Sequence, residues 1–211
     1  MIERLPSQHV AHAGAAMPSQ TQSRPEPLSV RIIIIGLNRA IYRFARHWLL
    51  GVNAFLFAWA ALIVLAPLCA ATGRDGLARP IYAFFGLFCH QQPDRSFHLW
   101  DHQLAACQRC TAIYASLFVC GLIFVALRQR LRRPSWRLVG LLALPLAVDG
   151  LTQLAGLRES TPALRVLTGT LIAIAISALL FPYLESGFAD MRAQIERRFA
   201  RLVAAGRTRP L

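Results

Sequence analysis

The stretch WLLGVNAFLFAWAALIVLAPLCAA, residues 48–71, carries no formal charge and decides the fold class. As an α-helix these residues extend about 36 Å, more than the roughly 30 Å hydrocarbon core of a bilayer. Three further stretches have the same character: Thr111–Leu127, Leu138–Leu157, interrupted only by Asp149, and Val166–Leu184. Composition agrees with them. The chain has 211 residues, 55% hydrophobic against 16% charged, with a mean hydropathy of +0.44, which exceeds what one soluble core of this size needs. A large soluble catalytic domain is excluded, and the expected fold is an all-α polytopic membrane helix bundle with four long spans.

Shorter segments complete that architecture. Pro80–Gln92 is apolar and aromatic but only 13 residues long, about 20 Å as a helix, so it is expected as a re-entrant or interfacial half-helix shielded by its neighbours. Ser29–His47 is amphipathic, with Arg39, Arg43 and Arg46 at helical spacing, and is expected as an interfacial lead-in helix. Glu185–Gly206 sets Phe188, Met191, Ile195, Phe199 and Leu202 on one helical face and arginines elsewhere, the pattern of an amphipathic helix on anionic lipid. Residues 1–28 are rich in Pro, Gln, Ser and Ala, lack the apolar core of a signal peptide and are expected as a disordered cytoplasmic tail. The domain organisation is therefore a tail over 1–28, a membrane domain with its lead-in helix over 29–184, and a cytoplasmic basic helix and tail over 185–211.

The formal net charge is +13, and all 23 basic residues are arginine, a bias of GC-rich, bacterial coding. No aromatic platform or nucleic-acid motif accompanies them, so nucleic acid is not an expected partner. In a membrane protein basic residues first report topology. The loop Arg128–Arg137 holds five arginines and the two terminal regions six each, so four spans with both termini cytoplasmic place 17 of the 23 inside. The expected location is a bacterial inner membrane, with the bilayer and anionic cytoplasmic-leaflet lipid as partners. Residues 72–108 and 158–163 then lie on the extracytoplasmic side.

The residues with chemistry gather on that side. Cys89 and His90 precede Cys107 and Cys110, the latter two in a C-x-x-C at the start of a span. Thiolate and imidazole are the ligands zinc prefers, and these four form a complete tetrahedral set for zinc or another transition metal. His98 and His102 are spare ligands, whereas Cys69 and Cys120 stand alone in apolar surroundings and read as small buried hydrophobes. The same cysteines permit a second chemistry. A C-x-x-C beside Arg109 at a helix N-terminus has two reasons for a lowered thiol pKa, as in membrane proteins that pass electrons from thiols to quinone. A third reading is a non-enzymatic structural or assembly protein. The odd number of motif cysteines ranks metal binding first. Catalytic candidates are Cys107, Cys110 and Asp149.

A carboxylate inside a span is costly unless paired. Asp149 is therefore expected to face the bundle interior, with Gln153 on the same face and Arg109 or Arg165 opposite. Arg95 and Arg158 complete the expected polar cluster. Asp149 reads equally as a register-setting ion pair and as a substrate or proton site. Arg95 and Arg109 beside the cysteines are available for an anionic group such as a lipid phosphate.

The combination CHQQPDRSFHLW, CQRCTAIY and DGLTQLAGLRESTPALRVLTG, spanning about residues 80–175, resembles a family of small prokaryotic multi-span membrane proteins known as a domain of unknown function. The family's Cys-His-Gln, Arg-Ser-Phe, Cys-x-Arg-Cys-Thr-Gly-Ile-Tyr and Asp-Gly-x-x-Gln motifs correspond here to Cys89, His90 and Gln91; to Arg95, Ser96 and Phe97; to Cys107, Arg109, Cys110, Thr111, Ile113 and Tyr114; and to Asp149, Gly150 and Gln153. The chain departs in Ala112 for Gly, Ala105 and Ala106 for Pro-Val, and Pro162 where Asn commonly follows Ser-Thr. The resemblance implies membrane location and the importance of this site. It implies no activity.

Overall fold

The structure is a computed structural model that describes residues 28–128, 130–131 and 133–204. The chain divides into two compact units, Met1–Leu37 and Asn38–Leu211, and the packing described below belongs to the second. Five helices form in order: α1 (Leu28–Ala71), α2 (Asp75–Gly86), α3 (Gln108–Leu127), α4 (Trp136–Leu154) and α5 (Pro162–Ala204). Among the described residues four of them, all except α2, are long and apolar enough to cross a membrane. Large apolar side chains such as Phe55, Leu122, Leu141 and Leu167 are exposed on their outer faces, as a lipid solvent allows.

The terminal segments expected as separate helices are continuations of the spans. α1 runs unbroken through Ser29–His47 into the first apolar stretch, and α5 runs through Glu185 to Ala204. Neither junction holds a residue pair that stops a helix; Pro182 lies within α5 without ending it. The apolar stripe of the last segment is turned mainly to protein. Phe188 stacks on Trp48 at 5.3 Å, Ile195 and Phe199 are buried, and Met191 alone of the four is exposed. Arg192 donates to the Ala45 carbonyl at 2.8 Å, and Tyr42 donates to Glu196 at 2.9 Å. The tails expected over 1–28 and after Ala204 lie outside the described residues, except that Leu28 opens α1.

The half-helix is real but displaced toward the N-terminus. α2 begins at Asp75, whose carboxylate suits a first turn, takes Pro80 into its interior, and ends at Gly86. Its 12 residues reach about 18 Å, too short to span. Residues 87–92 leave the helix, a 3-10 turn covers Pro93–Arg95, and an unexpected antiparallel hairpin follows, β1 (Ser96–Leu99) and β2 (His102–Cys107). Its two-residue turn, Trp100 and Asp101, has φ of +50° and +63°, the geometry of a type I′ hairpin. β2 runs directly into α3, so the hairpin aims Cys107 at the head of that span.

Close helix contacts fix the bundle. A Cβ on Gly169 of α5 would meet the Arg109 carbonyl oxygen at 2.7 Å and the Ala112 Cβ at 3.1 Å, so α3 and α5 touch backbone to backbone. The missing side chain of Gly169 makes room for Ala112 opposite. α4 ends in a Schellman motif, with Gly156 at φ +67° and Leu157 N–H donating to the Thr152 carbonyl at 3.0 Å, which turns the chain back toward α5.

Candidate functional site

The site forms where the ends of α2, α3, α4 and α5 meet the hairpin. Its first part is a frame for Cys89. The Cys89 N–H donates to the Phe85 carbonyl at 2.9 Å, extending the end of α2. Gln91 follows at φ +48°, a left-handed conformation costing about 1 kcal/mol for a residue with a side chain. That conformation is held by two bonds from its amide, to the Tyr82 carbonyl at 2.8 Å and the Ala105 carbonyl at 2.7 Å. The Tyr82 hydroxyl donates in turn to the Gln103 carbonyl at 2.6 Å. Gln91 thus ties α2 to β2 and presents Cys89 to the head of α3, a role its place in the sequence did not disclose.

Cys107 caps α3 and Cys110 lies one turn further. The Sγ atoms of Cys89, Cys107 and Cys110 all lie within 4.8 Å of one another. The Cys107 N–H also donates to the Cys89 sulfur at 3.2 Å. Donors from Cys107 and then Cys110 hold the Cys89 thiol far below the ordinary thiol range, outweighing the opposing effect of burial. His90 does not join them: it is exposed on the cavity rim and outside the cluster of ligand atoms. Of the expected set of four, the three sulfurs converge. His98 and His102 line a separate depression with Asp101, and Cys69 is buried within α1. All five cysteines are free thiols.

The second part is the expected polar cluster, and Asp149 is its centre. It is 1% exposed and ion-pairs with Arg109, with Arg158 at 3.0 Å, and accepts from the Ser160 hydroxyl at 2.9 Å. With both oxygens engaged and no part in the cavity wall, Asp149 locks α4 to the head of α3 and to the connection that leads into α5. Arg165 is not its partner. That guanidinium, 5% exposed, donates instead to the neutral Gln108 amide oxygen at 3.2 Å. Ser160 and Gln108 were not singled out in the sequence; small polar residues flanking charged ones give no distinct signal there.

Both parts open onto one cavity of about 360 Å³, lined by the three cysteines, by Arg95, Arg109 and Arg165, and by Gln153. Three buried nitrogens on its walls, Arg95 Nε, Arg109 Nε and Gln153 Nε2, have no hydrogen-bond partner among the described residues. The arrangement combines soft sulfur donors with a surplus of N–H donors.

A protein family described as "Predicted membrane protein (DUF2085)" matches residues 89–179, a segment that starts at Cys89 and encloses the cysteines, the arginine cluster and Asp149. An uncharacterized protein of Methanocaldococcus jannaschii is 34% identical over 145 residues, covering 65% of this chain and 92% of that protein. The chain belongs to this membrane protein family. A second uncharacterized protein, from Methanothermobacter thermautotrophicus, is 36% identical over 95 residues, covering 45% of this chain and 86% of its own length. Both relatives are archaeal, consistent with a prokaryotic family. No solved structure matches the chain. The matched segment of the family also contains the α3–α5 contact at Gly169 that sets the heads of these helices together.

Proposed function

We propose that this family member holds a transition-metal ion, zinc by preference, on Cys89, Cys107 and Cys110. The observation that carries the reading is the convergence of three sulfurs within 4.8 Å, with a backbone N–H donated to one of them. Zinc–sulfur bonds of about 2.3 Å set tetrahedral sulfurs about 3.8 Å apart, a modest contraction of this cluster. Three protein ligands, with His90 outside their cluster on the cavity rim, leave the fourth position to the cavity, the pattern of reactive rather than purely structural sites. With zinc bound there, the site supplies Lewis acidity to the group in that position. The chain's own residues frame it: Gln91 holds Cys89 in place, and the Asp149 ion pairs hold the α3 helix head.

In the same reading the arginine-rich end of the bundle, including residues 128–137, faces the cytoplasm and the site faces the other side. Its support is the arginine distribution. Protease sites inserted at Trp100–Asp101 and after Pro134 are expected to be cut from opposite sides of the membrane, the latter from the cytoplasm; the reverse assignment overturns the orientation.

Elemental analysis with thiol counting tests the metal. We expect about one ion per chain, lost in Cys107→Ser and retained in Cys120→Ser. The competing chemistry oxidises two of the three thiols to a disulfide and passes two electrons and two protons to a quinone, giving quinol. A metal content that Cys107→Ser leaves unchanged, with quinone-dependent formation of a reducible disulfide in the wild type, replaces the first reading with the second.

A further inference from the structure

We propose that the cavity beside the cysteines binds a phosphate-type oxyanion, with Arg95, Arg109 and Arg165 supplying charge and Gln153 an amide donor. The inference goes beyond the metal reading and stands on different residues.

Arg165 carries the argument. It is a buried guanidinium whose side-chain partner is a neutral amide, and among the described residues it forms no ion pair. A buried charge without a counterion is unfavourable, so an anion at this place is stabilising. The surroundings do not supply enough of one. Four arginines, 95, 109, 158 and 165, meet the single buried carboxylate of Asp149, which is committed to Arg109 and Arg158. Arg95 approaches the exposed Asp94 and Glu159 only at 3.7 Å, distances at which solvated pairs contribute little. Four guanidinium groups against one buried carboxylate leave a surplus of positive charge around the cavity.

The unused valences have one character. Arg95 Nε, Arg109 Nε and Gln153 Nε2 are all buried donors on the cavity wall, so the missing partner accepts several hydrogen bonds and donates few. Together with Arg165 they come from four directions: the 3-10 turn (Arg95), the head of α3 (Arg109), the outer end of α4 (Gln153) and the first turns of α5 (Arg165). A carboxylate offers two oxygens in a single plane, whereas donors arranged around a volume suit a tetrahedral group with two negative charges. At about 360 Å³ the cavity is at the lower end for ligand sites, roughly 300–1,000 Å³, and fits a small anion or the headgroup of a lipid. The exposed Phe88 on the same wall gives an apolar rim that suits the lipid case.

The test uses the full chain in neutral detergent at low ionic strength. Calorimetric titration with inorganic phosphate, and with short-chain phosphatidic acid against short-chain phosphatidylcholine, distinguishes a free ion from a headgroup. One site per chain for phosphate, or for phosphatidic acid alone, supports the proposal, and the second outcome assigns the lipid source. Arg95→Gln and Arg165→Gln are expected to weaken binding at least tenfold, whereas Arg128→Gln at the far end of the bundle leaves it unchanged. Arg95 is partly exposed, so its variant carries the test if Arg165→Gln does not fold. Metal content measured on the same samples is expected to stay at the wild-type level in Arg95→Gln, and Cys107→Ser is expected to retain the anion, so failure of one reading is distinguishable from failure of the other. Absence of binding by both phosphate and phosphatidic acid, wild-type affinity in Arg95→Gln, or an equal loss in Arg128→Gln overturns it.

Discussion

Asp149 and Glu185 are both acidic side chains held by arginines, and about 35 Å of α5 separates the levels at which they sit. Glu185 accepts from the Trp48 indole at 2.8 Å, pairs with Arg192 at 3.4 Å and touches Arg128 at 4.0 Å. It is 22% exposed, its arginine partners are reachable by solvent, and among the described residues none of its partner side chains leaves a buried orphaned nitrogen. Asp149 is fully buried, and the cluster around it contains more arginine than its carboxylate can balance. The first arrangement is a pin between α1 and α5. The second fixes helix register and still leaves donors aimed at a cavity, which is how a site differs from a fastening.

Removing each carboxylate tests that contrast most severely. Asp149→Asn leaves Arg109 and Arg158 without a buried anion, and breaking such a pair costs about 3–5 kcal/mol. Glu185→Gln keeps an acceptor for Trp48 and exposes its arginines to water, at a cost of about 1 kcal/mol. Thermal unfolding in detergent is expected to show Asp149→Asn severely destabilised or unfolded and Glu185→Gln only modestly affected. Equal losses would mean that both ends are mere fastenings.

A smaller effect separates two glycines. Gly169→Ala presses on the Arg109 carbonyl, backbone that cannot move aside without shifting the C-x-x-C turn, and is expected to cost about 1–3 kcal/mol. Gly121→Ala meets the Asn53 side chain, which can rotate at the expense of its 2.9 Å bond to the Leu49 carbonyl, for about 1 kcal/mol. Only the first is expected to lower metal content as well, measured by elemental analysis against thermal stability. A loss of metal in Gly121→Ala equal to that in Gly169→Ala would show that the site senses general loosening rather than the α3–α5 contact.

The same two regions explain what was legible in the sequence. Apolar stretches near the length of a bilayer crossing, one of them interrupted only by Asp149, announced the four spans, because a hydrocarbon solvent leaves few alternatives. The convergence of Cys89 with Cys107 and Cys110 was readable from two cysteine motifs bracketing one short loop. His90 follows Cys89 in the chain yet stands outside the sulfur cluster, because the backbone that places each side chain here, including the left-handed Gln91, is not encoded in spacing. The limits of α2 were misplaced because Pro80 resembles a helix start, whereas Asp75 provides the better first turn. The partner of Arg165 was hidden for a different reason. Choosing among arginines for one carboxylate depends on how α4 and α5 are rotated, and that rotation is set by close contacts such as Gly169 rather than by charge.

The hairpin was the largest omission, and it offers the smallest and cleanest test. Its turn residues, Trp100 and Asp101, both occupy positive φ, where Asn-Gly is the favoured pair, so the sequence carried none of the usual turn signal. The left-handed conformation is paid for by the ladder of β1 and β2, in which His98 faces Gln103 and Leu99 faces His102. Replacing Trp100 and Asp101 with Asn and Gly relieves that cost without touching the ladder or the cavity wall. The double variant is expected to gain about 0.5–1 kcal/mol in thermal unfolding while metal content stays unchanged. The mechanism makes the sign decisive. If the hairpin serves only to aim Cys107 at the head of α3, stiffening its far end changes stability and leaves the site alone; a loss of metal would mean that Trp100 or Asp101 supports the cysteine cluster, and the boundary of the site would have to be moved outward to include the turn.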